Sequence, residues 1–342
     1  MLDDRPKQKH TVSIGDRMLR NVAFLAPMSG VTDVPFRRLA WRYGAGMVVS
    51  EMVAGEALTT GMDEMVLKAA GAGLPDHMVQ LAGREAKWMD RATRMAQDAG
   101  ATIIDINMGC PSKRVTNGYS GSALMRDLDN AERLIDAVVA ATDLPVTLKM
   151  RLGWDENSIN APDLAQRAEQ AGVRMLTVHG RTRNQFYKGE ASWNAVRAVR
   201  EATSLPLIVN GDIVDADTAR AALTASGADG VMIGRASYGA PWLPGQIGAQ
   251  LSGEASVQAP MGDELASLVC EHVEAMLCHY GLELGLRNAR KHINWYVAHL
   301  PQALRNSPVR RAIMTGTDAA QVLAMVRDLF TGATRPQARA AA

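Results

Sequence analysis

The sequence predicts an α/β protein, a (β/α)8 TIM barrel followed by a smaller all-helical C-terminal domain. Eight short segments are apolar on both faces, which is typical of parallel strands buried on both sides. Each is followed by a helical segment, and the eight units occupy roughly 250 residues, the usual length of a closed barrel. Polar side chains cluster at the carboxyl ends of these strands, which meet at one opening of a barrel (the mouth), where active sites lie.

The predicted elements alternate along the chain. Asp33 suits the N-cap of the first helix because its carboxylate can accept a backbone N–H, and Pro35 fits the first turn, where its missing N–H costs nothing. The strands are predicted at 22–25, 47–50, 77–81, 102–106, 146–150, 175–178, 207–209 and 230–233. The helices are predicted at 34–43, 63–69, 85–98, 130–141, 162–171, 193–202 and 216–225, with a further helix from about 241.

Composition divides the chain into five parts. An N-terminal extension (1–20) precedes the barrel, which is the predicted catalytic domain (21–250). A Gly-rich, polar stretch (251–262) is typical of a linker. After it, apolar residues recur at helical spacing without strands, which predicts a helical domain (263–331). The Ala- and Arg-rich tail (332–342) is expected to be disordered.

Composition also excludes several classes of protein. Hydrophobic residues make up 47% and charged residues 21%, which is typical of a globular protein. No apolar run approaches the ~18 residues that span a bilayer, and the N-terminus lacks the apolar core of a signal peptide. The three cysteines are scattered, so we expect no disulfide framework and a reducing, cytoplasmic setting. Cys270 and Cys278 are expected to pack in the helical core.

The net charge of +1 conceals a basic C-terminal region. From residue 281 onward, nine Lys and Arg stand against three Asp and Glu. Arg287, Arg290 and Lys291 fall three and four residues apart, on one helix face. This face is either an anion-binding surface or an ordinary solvated one. Trp295 and Tyr296 follow, and they either stack on nucleic acid or pack in the helical core.

The stretch after the fourth strand carries a candidate catalytic thiol. Cys110 lies on a tight turn shaped by Gly109 and Pro111, ahead of a polar, basic, glycine-rich loop (113–121). This places the thiol at the mouth, although a cysteine at a strand end can also be a small buried hydrophobe. With a pKa near ~8.5, a thiol is mostly protonated at pH 7. Because no His–Asp pattern accompanies Cys110, the sequence favours a proton donor over a hydrolytic nucleophile.

The last two strands end in Asn-Gly-Asp (210–212) and Gly-Arg (234–235), which predicts a phosphate site. Glycines let backbone N–H groups approach a phosphate, and the N-terminus of the following helix adds its dipole. Barrels commonly bind phosphate after strands seven and eight. Arg235 can add a charge-assisted hydrogen bond.

Three further polar residues follow strands. Lys149 requires a negative partner when buried, and an anionic cofactor ring would supply one. Gln80 offers a donor and an acceptor to an imide edge such as that of a flavin. His179 is a possible metal ligand, but no spaced set of His, Cys and carboxylates surrounds it, so no metal is predicted.

Ordered motifs over residues 20–245 resemble those of the tRNA-dihydrouridine synthases. They are LAPMSGVTDVPFR (25–37), SEM (50–52), VQLAG (79–83), INMGCPSKRV (106–115), GSALM (121–125), VTLKMRLGW (146–154), HGRT (179–182), NGDI (210–213) and IGRA (233–236). A helical C-terminal domain follows, as in that family. The resemblance implies an enzyme that binds FMN and uses NADPH to reduce particular uridines of tRNA.

The resemblance also implies roles for individual residues. Cys110 would donate a proton and Lys149 would face the N1/O2 side of the flavin, while Ser29 stands where the family often has Ala. The flavin ring would be held by Pro27, Met28, Ser29 and Gln80, and its ribityl-phosphate end by His179, Asn210, Gly211, Asp212, Gly234 and Arg235. The uridine or its phosphates would face Asn107, Lys113 and Arg181, and the tRNA would contact Arg287, Arg290 and Lys291.

The implied reaction passes a hydride from N5 of reduced FMN to C6 of uracil, while Cys110 protonates C5. The target base must leave its stack to react. We expect a monomer without a membrane or an obligate protein partner. One alternative is a TIM-barrel FMN oxidoreductase of a small-molecule pyrimidine, in which the charged C-terminal domain has no evident purpose. Another is an RNA-binding protein that has lost catalysis, against which Cys110, Lys149 and Gln80 together argue.

Overall fold

The computed structural model describes residues 11–332, so the predicted tail lies outside the described residues except for Gly332. The strands are β1 (Ser13–Ile14), β2 (Arg17–Met18), β3 (Ala23–Leu25), β4 (Met47–Val48), β5 (Val53–Ala54), β6 (Met78–Ala82), β7 (Ile103–Met108), β8 (Val146–Arg151), β9 (Met175–His179), β10 (Leu207–Asn210) and β11 (Gly230–Ile233). The helices are α1 (Val34–Arg42), α2 (Gly55–Thr59), α3 (Asp63–Ala69), α4 (Ala86–Asp98), α5 (Lys113–Thr116), α6 (Leu128–Ala140), α7 (Ala161–Gln170), α8 (Trp193–Ala202), α9 (Ala216–Ser226), α10 (Leu243–Ser252), α11 (Asp263–Tyr280), α12 (Leu282–Val297), α13 (Gln302–Arg305), α14 (Pro308–Thr315) and α15 (Ala319–Thr331). Two 3-10 helices span Gly121–Arg126 and Arg235–Ser237.

Parallel strands close into the predicted barrel. The sheet runs in the order β4, β3, β11, β10, β9, β8, β7, β6, β5, and every neighbouring pair is parallel. β4 and β5 are two halves of one strand position. Between them, Val49 bridges to Met78 on β6 and joins the two edges of the sheet. The (β/α)8 fold class is therefore confirmed.

Alternation along the strands creates two separate cores. Side chains of one parity point into the barrel and form an apolar cluster near its amino end, which includes Phe24, Met78, Ile103, Met175 and Ile208. Side chains of the other parity face the helices and join a larger cluster, which includes Ile104, Ile106, Leu148, Leu176 and Val209. Apolar side chains therefore fill the amino end of the barrel interior.

Part of the predicted N-terminal extension belongs to the barrel core. β1 and β2 form an antiparallel hairpin. Val12, Ile14 and Leu19 are buried in the same cluster as the inward-facing strand residues. The sequence predicts an extension over residues 1–20, outside the barrel. Its strands have two residues each, which is too short to show a recognisable alternation of apolar and polar residues.

Local capping follows the sequence at the first helix. Asp33 Oδ1 accepts a hydrogen bond from Phe36 N at 3.0 Å, and Pro35 lies in the first turn of α1. The N-terminus of α9 is also capped, because Asp215 and Thr218 form a reciprocal capping box. Both helices begin next to the mouth, so these caps fix where its loops start.

The chain divides into two compact units within the described residues. One contains 11–236 and Leu243–Val257, and the other contains Ser237–Trp242 and 258–332. α10 continues through Ser252, two residues into the predicted linker, because Leu251 packs against the barrel clusters. No helix in residues 11–332 is both long enough and apolar enough to cross a membrane.

The second unit is helical, as predicted. α11 contacts α12 and α15, and each contributes buried apolar residues. Cys270 on α11 is buried, but Cys278 on the same helix is exposed, so its predicted place in the core is wrong. Eight residues separate the two, which turns Cys278 about 80° around the helix from Cys270.

A buried histidine makes this helical unit sensitive to acid. His272 lies on α11 with Nδ1 3.1 Å from the hydroxyl of Tyr296. Burial lowers the pKa of His272 to about 3, so the folded unit holds the neutral ring. The unfolded chain binds a proton near pH 6.5, and stability is therefore lost as pH falls from about 6.5 toward 3.

We predict that wild type loses about 2 kcal/mol of unfolding free energy from this residue between pH 7 and pH 5. Urea unfolding at both pH values measures the loss. His272→Phe should flatten that dependence by the same amount, because it removes the titrating ring. Tyr296→Phe, which keeps the ring and removes only its hydroxyl partner, should retain the dependence. An equal pH dependence in His272→Phe and wild type would contradict the assignment.

Candidate active site

Toward the carboxyl ends of the strands, the inward-facing positions change from apolar to polar. On β6, β7, β9 and β10, each polar residue follows an apolar inward-facing residue by two or four positions, as the alternation of a strand requires. On β8, all three inward-facing residues are polar. Strand register aligns them across β6 to β10. They are Gln80, Asp105, Asn107, Thr147, Lys149, Arg151, Thr177, His179 and Asn210, all of them buried. This polar layer forms the floor of the mouth.

Hydrogen bonds from three side chains hold the turn that carries Cys110. Asn107 Oδ1 accepts from the backbone N–H groups of Cys110 at 3.0 Å and Gly109 at 3.2 Å. Ser122 Oγ donates to the carbonyl of Cys110 at 2.8 Å. Arg151 Nε donates to the carbonyl of Gly109 at 2.9 Å. The thiol is therefore presented by a fixed backbone rather than by a free loop.

The environment of Cys110 keeps its proton in place. The residue is half-buried, unlike the core cysteine Cys270. Burial raises the pKa of the Cys110 thiol, and this outweighs the backbone hydrogen bond of Ser112 and the positive charges of Arg151 and Lys149, which lower it. The side chain is thus a neutral thiol at pH 7, with two cations near enough to stabilise the thiolate left by proton transfer.

The stretch after Cys110 was predicted as a loop, but much of it is helical. α5 covers Lys113–Thr116, and a 3-10 helix begins at Gly121. Gly121 has φ +61°, and a Cβ there would lie 2.9 Å from the carbonyl oxygen of Cys110, so only glycine fits. Lys113 is exposed on α5. Arg183 Nη2 donates to Thr116 Oγ1 at 3.2 Å, which ties α5 to the loop after β9.

Lys149 is a buried cation whose hydrogen-bond partner among residues 11–332 is a neutral amide. Its Nζ donates to Asn210 Oδ1 at 3.1 Å, and Asn210 Nδ2 donates to the carbonyl of Met232 at 2.8 Å. No carboxylate of the described residues pairs with Lys149. Burial, and then the charge of Arg151, lower the pKa of Lys149 to about 8. A bound anion would relieve this cost.

Arg181 does not fit its predicted role as a substrate contact. Its guanidinium is 2% exposed and pairs with both carboxylate oxygens of Asp212, at 3.0 and 2.6 Å. Its other N–H groups point to the carbonyls of Lys188 and Gly189 and to Nε2 of His179. All five donors are used, so Arg181 positions Asp212 and leaves nothing for a phosphate.

His179 is buried and neutral. Burial, together with the charges of Arg151 and Lys149, lowers its pKa well below the ordinary value. The ring therefore accepts from Arg181 and adds no positive charge to the mouth. Within residues 11–332, no group of three or more His, Cys, Asp and Glu could hold a metal ion.

The two glycines of the predicted phosphate site differ in function. Gly211 has φ +118°, and a Cβ there would lie 2.7 Å from His179 Cδ2, so the protein's own packing requires glycine. At Gly234, a Cβ would meet nothing closer than 3.9 Å, so the space beside this backbone is open. Arg235 is half-exposed next to it, with Nη2 3.2 Å from Asp212 Oδ1.

The predicted helix dipole at this site is absent from the described residues. Only the three-residue 3-10 helix Arg235–Ser237 follows β11 directly. The N-terminus of α9, after β10, is occupied by the capping carboxylate of Asp215. Because so short a helix has little net dipole, a phosphate here would rely on Arg235 and backbone N–H groups.

The segment after β3 forms another side of the mouth. Pro27 and Met28 are half-buried and Ser29 is exposed. Met28 N donates to Thr32 Oγ1 at 2.9 Å, and the buried carboxylate of Glu51 accepts from Gly30 N at 2.5 Å. These bonds fix the backbone that the sequence predicts to hold a cofactor ring.

Two residues at the mouth were missed from the sequence. Arg151 was placed outside β8, whose predicted end fell one residue short, although it continues the alternation after Lys149. Tyr187 is half-exposed on the loop after β9, with the guanidinium carbons of Arg151 and Arg235 at 5.6 and 5.0 Å from its ring centre. The sequence signal for Tyr187 is an aromatic residue in a loop that contains Gly and Lys.

The basic face of α12 lies in the helical unit. Arg287 is exposed and Lys291 is half-buried. Arg290 is partly structural, because its Nη2 donates to the carbonyl of Gly316 at 2.6 Å. Tyr296 is buried in the core, and the ring of Trp295 stacks on that of Tyr238 with centres 4.2 Å apart. Both aromatic side chains therefore contribute to packing within this unit.

The donors at the mouth fit a phosphorylated cofactor with an anionic ring. Lys149 lacks a carboxylate partner within the described residues, and the open space at Gly234 lies beside Arg235. Gln80 adds an amide to the buried floor. Such a cofactor would supply the negative charge that the protein does not provide here.

Solved structures with a similar fold include two oxidoreductases. Histamine dehydrogenase from Rhizobium sp. 4-9 matches with a TM-score of 0.51 and 14% identity, over 78% of this chain and 51% of that chain. Morphinone reductase in complex with tetrahydroNAD matches with a TM-score of 0.50 and 17% identity, over 74% of this chain and 93% of that chain. At these identities the likeness supports the barrel fold alone.

Sequence relatives identify the family. The family model described as dihydrouridine synthase (Dus) matches residues 24–334. A probable tRNA-dihydrouridine synthase of Rhodobacter capsulatus is 54% identical, over 94% of this chain and 98% of that protein. tRNA-dihydrouridine synthase B of Pseudomonas putida is 46% identical, over 85% of this chain and 86% of that protein. The resemblance found in the motifs is confirmed, and the chain belongs to the dihydrouridine synthase family.

Proposed function

We propose that this protein reduces uridine to dihydrouridine in tRNA, with FMN as its bound cofactor and NADPH as its electron donor. Membership of the family makes it a flavin-dependent oxidoreductase. One observation carries the detailed proposal: a protonated thiol, Cys110, on a pinned turn shares the mouth with the unpaired ammonium of Lys149. An acid and an anion-binding cation are what reduction of a pyrimidine double bond by a flavin requires.

The residues of the polar floor would hold the cofactor. Lys149 would face the pyrimidine side of the flavin, where reduction adds negative charge, and Arg235 would bind the phosphate. Bound FMN, reduced by NADPH, supplies the hydride that adds to C6 of uracil. The ring would be held by Pro27, Met28, Ser29 and Gln80, and the ribityl-phosphate end by His179, Asn210, Gly211, Asp212, Gly234 and Arg235.

Cys110 supplies the proton that adds to C5 of uracil. The S–H bond breaks as the C–H bond forms, and solvent then returns a proton to the thiolate. Arg151 and Lys149 stabilise that thiolate while it exists, because both lower the pKa of the thiol. Asn107, Arg151 and Tyr187 line the space for the base, and Lys113 contacts a nearby phosphate.

The helical unit binds the body of the tRNA. Its basic face on α12 (Arg287, Arg290 and Lys291) supplies contacts to phosphates, which dominate RNA affinity and carry little sequence information. The target base leaves its stack and enters the mouth of the barrel. We further propose that the protein acts as a cytoplasmic monomer.

Cys110→Ala should retain FMN and NADPH oxidation but lose dihydrouridine formation at least ~100-fold, because general acids contribute about that much. Dihydrouridine in unmodified tRNA, measured by mass spectrometry, reports the loss. Cys278→Ala, at an exposed cysteine of the helical unit, is the matched control and should behave as wild type. Full product formation by Cys110→Ala would refute the proton-donor assignment.

Lys149→Gln should weaken FMN binding and remove its pH dependence between pH 7 and 9. Because the pKa of Lys149 is about 8, the ammonium is charged below that pH and neutral above it. The Kd of FMN for wild type should therefore rise as pH passes 8, by up to about tenfold per pH unit. Quenching of FMN fluorescence measures the Kd, with the exposed Lys87→Gln on α4 as control. The same pH dependence in Lys149→Gln would contradict this role.

Arg287→Ala should weaken tRNA binding and reduce the slope of log Kd against log salt by about 1, as expected for one lost phosphate contact. NADPH oxidation should be unchanged. Arg220→Ala on α9, which removes an exposed arginine paired with Asp217 at 2.8 Å, should leave the slope unaltered. Equal slopes for Arg287→Ala and wild type would place the tRNA elsewhere.

A further inference from the structure

A buried carboxyl group in the barrel has no part in the mechanism described above. Asp105 lies on β7 between the inward-facing Ile103 and Asn107, and its side chain is 3% exposed. It forms no ion pair with any residue in the part of the chain that the structure describes. A buried carboxyl is costly, and Ile103 shows that this interior accepts apolar side chains. The carboxyl group at this position therefore needs a functional explanation.

Hydrogen bonds connect this carboxyl group to the catalytic turn. Asp105 accepts from Thr147 Oγ1 at 2.6 Å and from Gln80 Nε2 at 2.7 Å. Gln80 Oε1 accepts from Asn107 Nδ2 at 2.7 Å. Asn107 Oδ1 accepts from the backbone N–H of Cys110 at 3.0 Å. These bonds form one continuous path, here called the amide chain, from Asp105 to Cys110.

The amide chain can run in only one direction, because its Cys110 end cannot be reversed. The backbone N–H of Cys110 is a donor, so Asn107 must turn its oxygen toward it and its NH2 group toward Gln80. Gln80 must then turn its oxygen toward Asn107 and its NH2 group toward Asp105. The carboxyl oxygen of Asp105 that faces Gln80 accepts this hydrogen bond, so Asp105 completes the order. An amide at the floor would otherwise be free to flip.

We propose that Asp105 is a positioning residue that acts through Gln80 and Asn107. It fixes the position of Cys110, and it determines which groups at the mouth donate hydrogen bonds and which accept them. With the order set, Gln80 and Asn107 each keep one N–H without a partner among the described residues. A bound ring or base therefore meets donors at fixed places. The inference rests on the proposed function for its effect on turnover, but the effect on Cys110 itself is independent of it.

Thr147 makes a sharp test possible, because its hydroxyl can donate or accept. In Asp105→Asn, the new amide oxygen can accept from Gln80 while its NH2 group donates to Thr147, so the order survives. In Thr147→Val, the carboxylate still accepts from Gln80. In the double variant, an amide at position 105 that accepts from Gln80 leaves its own NH2 group facing the valine side chain at position 147 without an acceptor, and the reversed amide sets two NH2 groups against each other. The amide chain therefore loses its support at the end away from Cys110.

We expect both single variants to stay within threefold of wild type in kcat for dihydrouridine formation. The double variant Asp105→Asn/Thr147→Val should lose at least tenfold in kcat, as should Asp105→Val, which removes the acceptor. All side chains in the double variant keep nearly native size, so it tests the chemistry even if Asp105→Val fails to fold. A residue that merely packs would give additive, small effects.

A second readout needs neither flavin nor tRNA. The rate at which iodoacetamide alkylates Cys110, followed by peptide mass spectrometry, reports how firmly the thiol is held in position. It should rise at least fivefold in the double variant and stay within twofold in each single variant, with exposed Cys278 as internal control. This rate stays informative if wild type proves inactive on tRNA, so failure of the proposed function is distinguishable. Additive effects of the single variants on both readouts would overturn the proposal.

Discussion

Positive charge buried in a closed barrel is the constraint on which this site depends. Lys149 and Arg151 project into the same interior from one strand. Of the acidic residues near them, Asp212 is paired with Arg181, and Asp105 is hydrogen-bonded to Thr147 and Gln80. Burial, and then this positive charge, lower the pKa of His179 well below its ordinary value and the pKa of Lys149 to about 8. The mouth consequently holds an excess of positive charge, which favours an anionic cofactor and a transient thiolate.

The strand architecture determines where that charge lies. Every second residue of a strand points inward, and on most strands these positions are apolar at the amino end, where the N-terminal hairpin completes the core. The polar residues are therefore confined to the carboxyl end. Loops there are tied together by specific bonds, such as Arg151 to Gly109 and Arg183 to Thr116. Pre-organised side chains of this kind need little rearrangement during a reaction.

Much of this could be predicted from sequence, because alternation and capping are local properties. The strands, the cap at Asp33 and the turn at Cys110 all follow from residues close in the chain. The partner of Arg181 could not be predicted, since Asp212 is brought to it by a different strand, and the sequence assigned both residues to ligands. The packing reason for a glycine at position 211 likewise could not be predicted, because its contact with His179 depends on the folded barrel. Short or irregular elements, such as the hairpin and α5, carry too few residues to show a period.

The central claim is that tRNA, rather than a small pyrimidine, is the substrate of this barrel. The most direct measurement incubates the purified, flavin-loaded protein with NADPH and either unmodified tRNA or an equal concentration of free uridine. Mass spectrometry then quantifies the reduced base, which is two hydrogen atoms heavier. The account predicts dihydrouridine in the tRNA and almost none from free uridine, since phosphate contacts on the helical unit supply much of the affinity. Equal reduction of both, or reduction of free uridine alone, would contradict it.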